Sequence, residues 1–270
     1  MGGLHRYAML AIHHPSRGLA WASPAFVGKV LDAVTGWNEA GLVVAQNVSE
    51  LAFERSWGLY TGALVRRVAA GCATVDEAER MLRAAPALCG GGRSLLVTRG
   101  DAATVLEVAQ QMVGPSRVHC RSWGECGDAP DTIALTNHYR TPELVSATPG
   151  RSSSARLVRA MALARRGIDS VEAMMAAMTD CGQVTLDRHE RPDGATTSPS
   201  ETTICCCGPP IRRFGPFSLP PDLEVRVATR ISTVCDLQGH HMWVAAGQPR
   251  VTDATQYRGF DVAELLGTVS

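Results

Sequence analysis

"TGWNEAGLVVAQN", residues 35 to 47, joins a polar turn to an apolar run that stops on an amide. Gly36, Asn38, Glu39 and Gly41 give the first half the composition of a tight connection, and Leu42 to Ala45 suit a strand. By itself the stretch reads as a hairpin with polar residues at its tip. Yet ending on Asn47 places hydrogen-bonding groups where a strand leaves its sheet, and folds display positioned polar side chains at such points. A second stretch repeats the pattern. "IALTNHY", residues 133 to 139, runs four strand-friendly residues into Asn137, His138 and Tyr139.

Upstream of Asn47, "YAMLAI", "GLAWAS", "KVLDAV" and "GLVVAQ" are short apolar runs at hairpin-like spacing. From about Glu54 the period becomes helical, with Trp57, Leu59, Tyr60, Ala63, Leu64 and Val68 on one face. "TVDEAERMLRAA" predicts a second helix, with Thr74 as cap and Glu77 three residues on as a capping box. After "CGGGR", "SLLVT" and "TVLEVA" flank a Gly-Asp turn at 100 to 101 and read as a hairpin. "TIALTNHY" then predicts a strand. "SSARLVRAMALARR" and "SVEAMMAAMTD" predict another helix pair, the latter capped by Asp169 or Ser170. Arg188 to Ser200 reads as loop. "TTICCC", "VRVATRISTVCDL" and "HMWVAAG" return to strand, interrupted by the Pro-rich insertion Gly208 to Asp222. Blocks of strands alternating with pairs of helices predict an α+β fold with antiparallel sheets rather than βαβ units. We find no internal repeat, and residues 1 to 270 read as a single domain.

Lys plus Arg and Asp plus Glu number 26 each, so no electrostatic footprint for nucleic acid or an anionic membrane is present. No apolar run reaches bilayer length, and the first thirty residues lack a secretory pattern. Nine cysteines, an odd number scattered along the chain, favour reduced thiols and a cytoplasmic protein. Cys205 and Cys207 of "CCC" would share one strand face, but no C-x-x-C pair joins them, and His189, His240 and His241 sit at no standard ligand spacing. No metal and no cofactor is therefore expected. "CGGGR" does not run directly into a helix as phosphate loops do, and a helix-to-strand turn is the better reading.

"PAFVGKVLDAVTGWNEAGLVVAQN" resembles the segment of the acyl-coenzyme A:6-aminopenicillanic acid acyltransferase family that reads G-x-V-G, T-G-M-N-E-x-G-L and a strand ending in Asn. "SLLVTRGDAATVLEVA", "LTNHY", "SSSARLVR" and "TRISTVCDLQGHHMWVAAGQP" continue the likeness in order, from about Tyr7 to Pro249. The resemblance implies an N-terminal nucleophile (Ntn) hydrolase, a four-layer αββα sandwich. It implies a cysteine amidase or acyltransferase in which a processed N-terminal Cys attacks an amide and the α-amino group is the base. Carried over, Asn137 matches the Asn that orients reacting groups. Arg156 matches an Arg that opens a helix near the nucleophile, and Asn47 falls at the oxyanion-hole amide, one residue closer to its turn than in the bile salt hydrolase branch. His138 and Tyr139 are expected to bind substrate. The implied partner is a small N-acyl or amide substrate.

The family's nucleophilic Cys lies upstream of the segment matching residues 7 to 12, and here the first cysteine is Cys72. The expectation is a fold that is N-terminally incomplete, with the nucleophile encoded upstream of Met1 or supplied by a small subunit. The alternative is a non-catalytic small-molecule binding protein on the same fold.

Overall fold

The computed structural model describes residues 7–28, 33–49, 57–85, 88–109, 117–122, 132–144, 151–180, 207–211, 213–214, 217–218, 225–228, 231–246 and 257–268. The chain divides into two compact units. The first holds Met9–Gly150, Cys235–Met242 and Gly259–Ser270; the second holds Met1–Ala8, Arg151–Val234 and Trp243–Arg258.

Strands β1 (Ala8–His13), β2 (Trp21–Phe26), β3 (Thr35–Asn38) and β4 (Val43–Ser49) open the chain. The third strand is "TGWN", inside the expected turn, and of the run expected as its strand, "KVLDAV", residues 29–32 lie outside the described residues. Asn38 explains the shift. It is buried, its Nδ2 donates to Ala69 O at 2.9 Å and Cys72 O at 2.7 Å, and its Oδ1 accepts from Ala40 N at 3.1 Å and Leu42 N at 3.0 Å. One amide thus closes the 39–42 turn and fastens it to the helix beyond.

The helix expected from Glu54 begins later. Gly58 takes φ +125°, β5 (Leu59–Tyr60) follows, and α1 runs Leu64–Gly71. Trp57 is exposed, so it belongs to no buried helical face. Helix α2 (Val75–Arg83) starts on Thr74, whose Oγ1 accepts from Glu77 N at 3.2 Å, while Glu77 Oε2 accepts from Ala73 N at 2.7 Å. The capping box holds, with its return bond one residue further out.

Next come β6 (Leu88–Cys89), paired parallel with β5, then β7 (Gly92–Arg99), β8 (Ala102–Ala109) and β9 (Arg117–Ser122). The hairpin expected around Gly100 and Asp101 is β7–β8. Gly90 and Gly91, at φ +83° and +88°, turn the chain from one strand to the next, so "CGGGR" links β6 to β7 rather than a helix to a strand. The seven-stranded sheet has the order β1-β2-β3-β4-β7-β8-β9. Its apolar face carries Leu42, Val44, Leu95, Val97, Leu106 and Val108, packed with Leu64, Val65 and Val68 of α1 and Ala78 and Leu82 of α2.

In the second unit α3 (Arg151–Ala164) and α4 (Val171–Met178) form the expected helix pair, with Ser170 as the α4 cap, its Oγ accepting from Ala173 N at 3.1 Å. Arg159 binds Asp180 through two bonds of 2.8 and 2.6 Å. Strands β10 (Cys207–Ile211) and β13 (Val225–Ala228) pair antiparallel, and between them β11 (Arg213–Phe214) pairs with β12 (Phe217–Ser218). Towards the end of the chain β14 (Ile231–Asp236), β15 (His241–Ala246) and β16 (Tyr257–Asp261) form a three-stranded sheet, and α5 (Val262–Leu266), in the first unit, follows. The expected loop 188 to 200 lies outside the described residues.

Candidate active site

The site begins with register. Asn47 faces Ser94 across β4–β7, Ser94 faces Glu107 across β7–β8, and Glu107 faces His119 across β8–β9. Side chains alternate along a strand and facing residues share a face, so these four form one polar row on the face opposite α1 and α2. Ser94 and Glu107 are fully buried, and Ser94 Oγ lies 2.8 Å from Ser49 Oγ.

The 132–141 segment covers this row. It is not the strand that its apolar run predicted, since only Thr132 makes a ladder bridge. Instead it crosses the strands. At β4, Asn47 Nδ2 donates to Leu135 O at 3.2 Å, and Asn137 Nδ2 donates to Val48 O at 2.8 Å. Among the described residues β3 is in register with β4 over Val43 to Ala45 and Gln46 N still bonds Val34 O, so a carbonyl further along β4 can accept from a side chain instead. At β8, Glu107 Oε1 accepts from Arg140 N at 2.9 Å and from Arg121 Nη2 at 3.0 Å, and its Oε2 accepts from Thr141 N at 2.8 Å. A buried carboxylate is tolerable only when its lone pairs are taken by donors, and here a guanidinium and two backbone amides take them. The segment is therefore held at both ends, with Asn137, His138 and Tyr139 between.

Asn47 and Asn137 are thus brought together through reciprocal bonds to each other's backbone neighbourhood. His138 is half-buried, its Nδ1 3.2 Å from Thr136 Oγ1. Tyr139 is buried, its hydroxyl donating to Val108 O at 2.5 Å, and burial pushes its pKa well above the usual tyrosine range. That geometry makes Tyr139 a packing group under the segment, where substrate contact had been expected. Arg156 sits half-buried on α3, in the second unit.

Glu107 and Asn38 are the residues that sequence reasoning missed. Both had a signal. A Glu inside the apolar run "TVLEVA" demands buried partners, and an Asn at the end of "TGWN" is a turn-former with four hydrogen bonds to place.

Among the described residues no three His, Cys, Asp or Glu side chains come together as a metal site. Cys205 and His189 lie outside the described residues. Burial pushes the Cys72 thiol up to about 11 and that of Cys235 up to about 12, and it raises Cys120 as well. A cleft of about 520 Å³ lies at the turn end of the same strands, beside Gly41, Arg99 and His240. It is remote from Asn47, at the other end of β4.

Residues 4–212 match the family described as acyl-coenzyme A:6-aminopenicillanic acid acyl-transferase. The chain belongs to this family. Its mainly antiparallel sheets and helix pairs are an α+β organisation. The structure is similar to penicillin V acylase from Agrobacterium tumefaciens (17% identity, TM-score 0.48, covering 84% of this chain and 66% of that one). It is also similar to a substituted conjugated bile acid hydrolase from Clostridium perfringens (12%, 0.47, 91% and 78%) and to the Caenorhabditis elegans N-acylethanolamine-hydrolyzing acid amidase ortholog (12%, 0.45, 70% and 79%). The chain spans slightly less than two thirds of the length of the penicillin V acylase. Comparison with curated protein sequences gave no match. No described helix is long and apolar enough to cross a membrane.

Proposed function

We propose that this chain is the oxyanion- and substrate-binding portion of an Ntn-type cysteine amidase or acyltransferase acting on a small N-acyl substrate, its nucleophile supplied by a segment other than residues 1–270. The observation that carries this reading is the joining of Asn47 and Asn137 over a buried polar row in a chain of this family. A primary amide has two N–H groups. When Asn47 spends one on Leu135 O, the other remains for the negative oxygen of a tetrahedral intermediate, and a donor fixed beforehand stabilises that oxygen at no reorganisation cost. Asn137 acts beside it, and Arg156 keeps the role that the family resemblance gives it, a charged donor in the reaction. His138 contacts the substrate.

The Cys72 thiol is poorly suited to the attack. Attack requires thiolate, and at pH 8 a group with a pKa of about 11, as at Cys72, is ionised in about one molecule in a thousand. The free cysteines Cys72, Cys89, Cys120 and Cys235 fit a reducing, cytoplasmic setting.

Release of the acid from penicillin V and N-acyl amino acids tests the reading. Residues 1–270 should give no thiol-dependent turnover, and addition of a Cys-bearing N-terminal segment, fused or as a separate chain, should give it. In that active form Asn137→Ala and Asn47→Ala should each lower turnover about a hundredfold, the loss expected for one oxyanion donor. Thiol-dependent turnover by residues 1–270 alone would place the nucleophile within them. Turnover unchanged by either substitution would remove the asparagines from the reaction.

A further inference from the structure

The cleft of about 520 Å³ at the turn end of the sheet is walled by the 39–42, β7–β8 and β14–β15 turns and by the start of α2, all within the first unit. Gly41 and Gly100, at φ +81° and +54°, would have nothing within 4 Å of an added Cβ, so the rim is open there. Val75 and Leu237 supply apolar wall, and Arg99, Asp76 and His240 bring polar side chains to the same space. Arg99 is fixed by one bond, Nε to Ala40 O at 2.8 Å. Among the described residues nothing else bonds its guanidinium, so both Nη groups remain as an oriented fork. Asp76 takes no part in the capping box, which Thr74 and Glu77 complete. Its carboxylate has no hydrogen bond or ion pair among the described residues.

Two opposite charges thus line one cleft and do not pair with each other. His240 stands beside them at φ +54°, where every other described residue at positive φ is a glycine. That conformation strains a residue with a side chain, and such strain gathers where the side chain is needed in place. Val262 N donates to its carbonyl at 2.9 Å and its ring lies against Trp37, centroids 6.4 Å apart, while no described group bonds either ring nitrogen. A simple anion would answer Arg99 and leave Asp76 unmet, and a simple cation would do the reverse. A small molecule with one charge of each sign answers both. A carboxylate suits the guanidinium fork and an imidazole N–H, an ammonium suits the aspartate, and a short apolar side chain suits Val75 and Leu237.

We propose that this cleft binds a free apolar α-amino acid as its zwitterion, with the carboxylate on Arg99 and His240 and the ammonium on Asp76. No residue of the polar row lines the cleft, so the site stands apart from the amidase reading.

Titration calorimetry on residues 1–270 tests it with L-leucine, leucinamide and N-acetylleucine, and with inorganic phosphate as competitor. Leucine should saturate one site within about 10 mM, as a Kd of about 1 mM requires. Leucinamide lacks the carboxylate and N-acetylleucine lacks the ammonium, and each should bind at least tenfold more weakly. Asp76→Asn and Arg99→Met should each weaken leucine at least tenfold. Both side chains are exposed, so the melting temperature should hold; if either variant unfolds, the comparison of ligands on the parent chain decides. His240→Gly, which relieves the left-handed residue, should raise the melting temperature and yet weaken leucine at least threefold. No saturation by leucine, equal binding of leucinamide or N-acetylleucine, displacement of leucine by phosphate at equal concentration, or unchanged leucine affinity in any folded variant of the three would each overturn the proposal.

Discussion

Gly92 shows how narrowly single residues set the candidate site. A Cβ built there would stand 1.9 Å from the Tyr139 hydroxyl, 2.8 Å from Cζ of its ring and 3.0 Å from Ser49 O. Backbone and tyrosine can meet only because the side chain is absent. Gly92→Ala should therefore push Tyr139 off Val108 O and cost about 2–3 kcal/mol, the upper part of the range for overpacking. Tyr139→Phe should cost about 1 kcal/mol, the usual loss of one hydrogen bond. Because the hydroxyl is the nearest obstacle, Gly92→Ala should cost at least about 0.5 kcal/mol less in the Tyr139→Phe background. Urea unfolding of the four proteins measures the coupling, and strict additivity would mean that the ring does not touch Gly92. The sequence made Asn47 and Asn137 visible because each ends an apolar run. It did not show that Tyr139 packs underneath, since His138 and Tyr139 carry the same local signal and only the crossing of the sheet separates them.

Elements were legible where their cause is local. The β7–β8 hairpin follows from two apolar runs and a Gly-Asp turn, and the start of α2 follows from Thr74 and Glu77, all within a few residues of each other. Elements with distant causes were not legible. β3 is fixed by an Asn38 side chain that reaches Ala69 and Cys72, and the 132–139 run is drawn out of strand geometry by bonds to β4 and β8. The α3–α4 pair depends on an equally distant tie. Arg159 and Asp180 form a fork-to-carboxylate pair whose side chains are 14% and 11% exposed. Removing one partner strands the other charge away from water. Asp180→Ala should cost about 2–3 kcal/mol, and Asp180→Asn, which keeps one acceptor, should cost less. Chemical denaturation followed by a probe on α3 reads this. A loss below about 0.5 kcal/mol would class the pair with exposed ion pairs.

At the scale of the whole chain, the seven-stranded sheet gives one face to helices and the other to polar chemistry, and that division was not readable strand by strand. β4 mixes Val43, Val44, Ala45 and Val48 with Gln46, Asn47 and Ser49, and β8 is apolar but for Thr104 and Glu107. The faces separate only when the register sets Asn47 against Ser94 and Ser94 against Glu107. The same register has a kinetic consequence. β3–β4 and β7–β8 are short-range hairpins, whereas pairing Ser49 with Gly92 closes a loop of roughly forty residues, whose entropy must be spent before any contact across it is gained. The hairpins should therefore form early and the β4–β7 seam late. Val105→Ala, in the β7–β8 hairpin, should slow folding. Ser49→Ala, which removes the 2.8 Å bond to Ser94 across the β4–β7 seam, should chiefly speed unfolding. Stopped-flow chevrons distinguish the two, and a slowed folding arm for Ser49→Ala would place the seam in the nucleus. Asn47 lies before that loop and Asn137 after it, so a newly made chain carries both amides long before the chain between them has closed and let them meet.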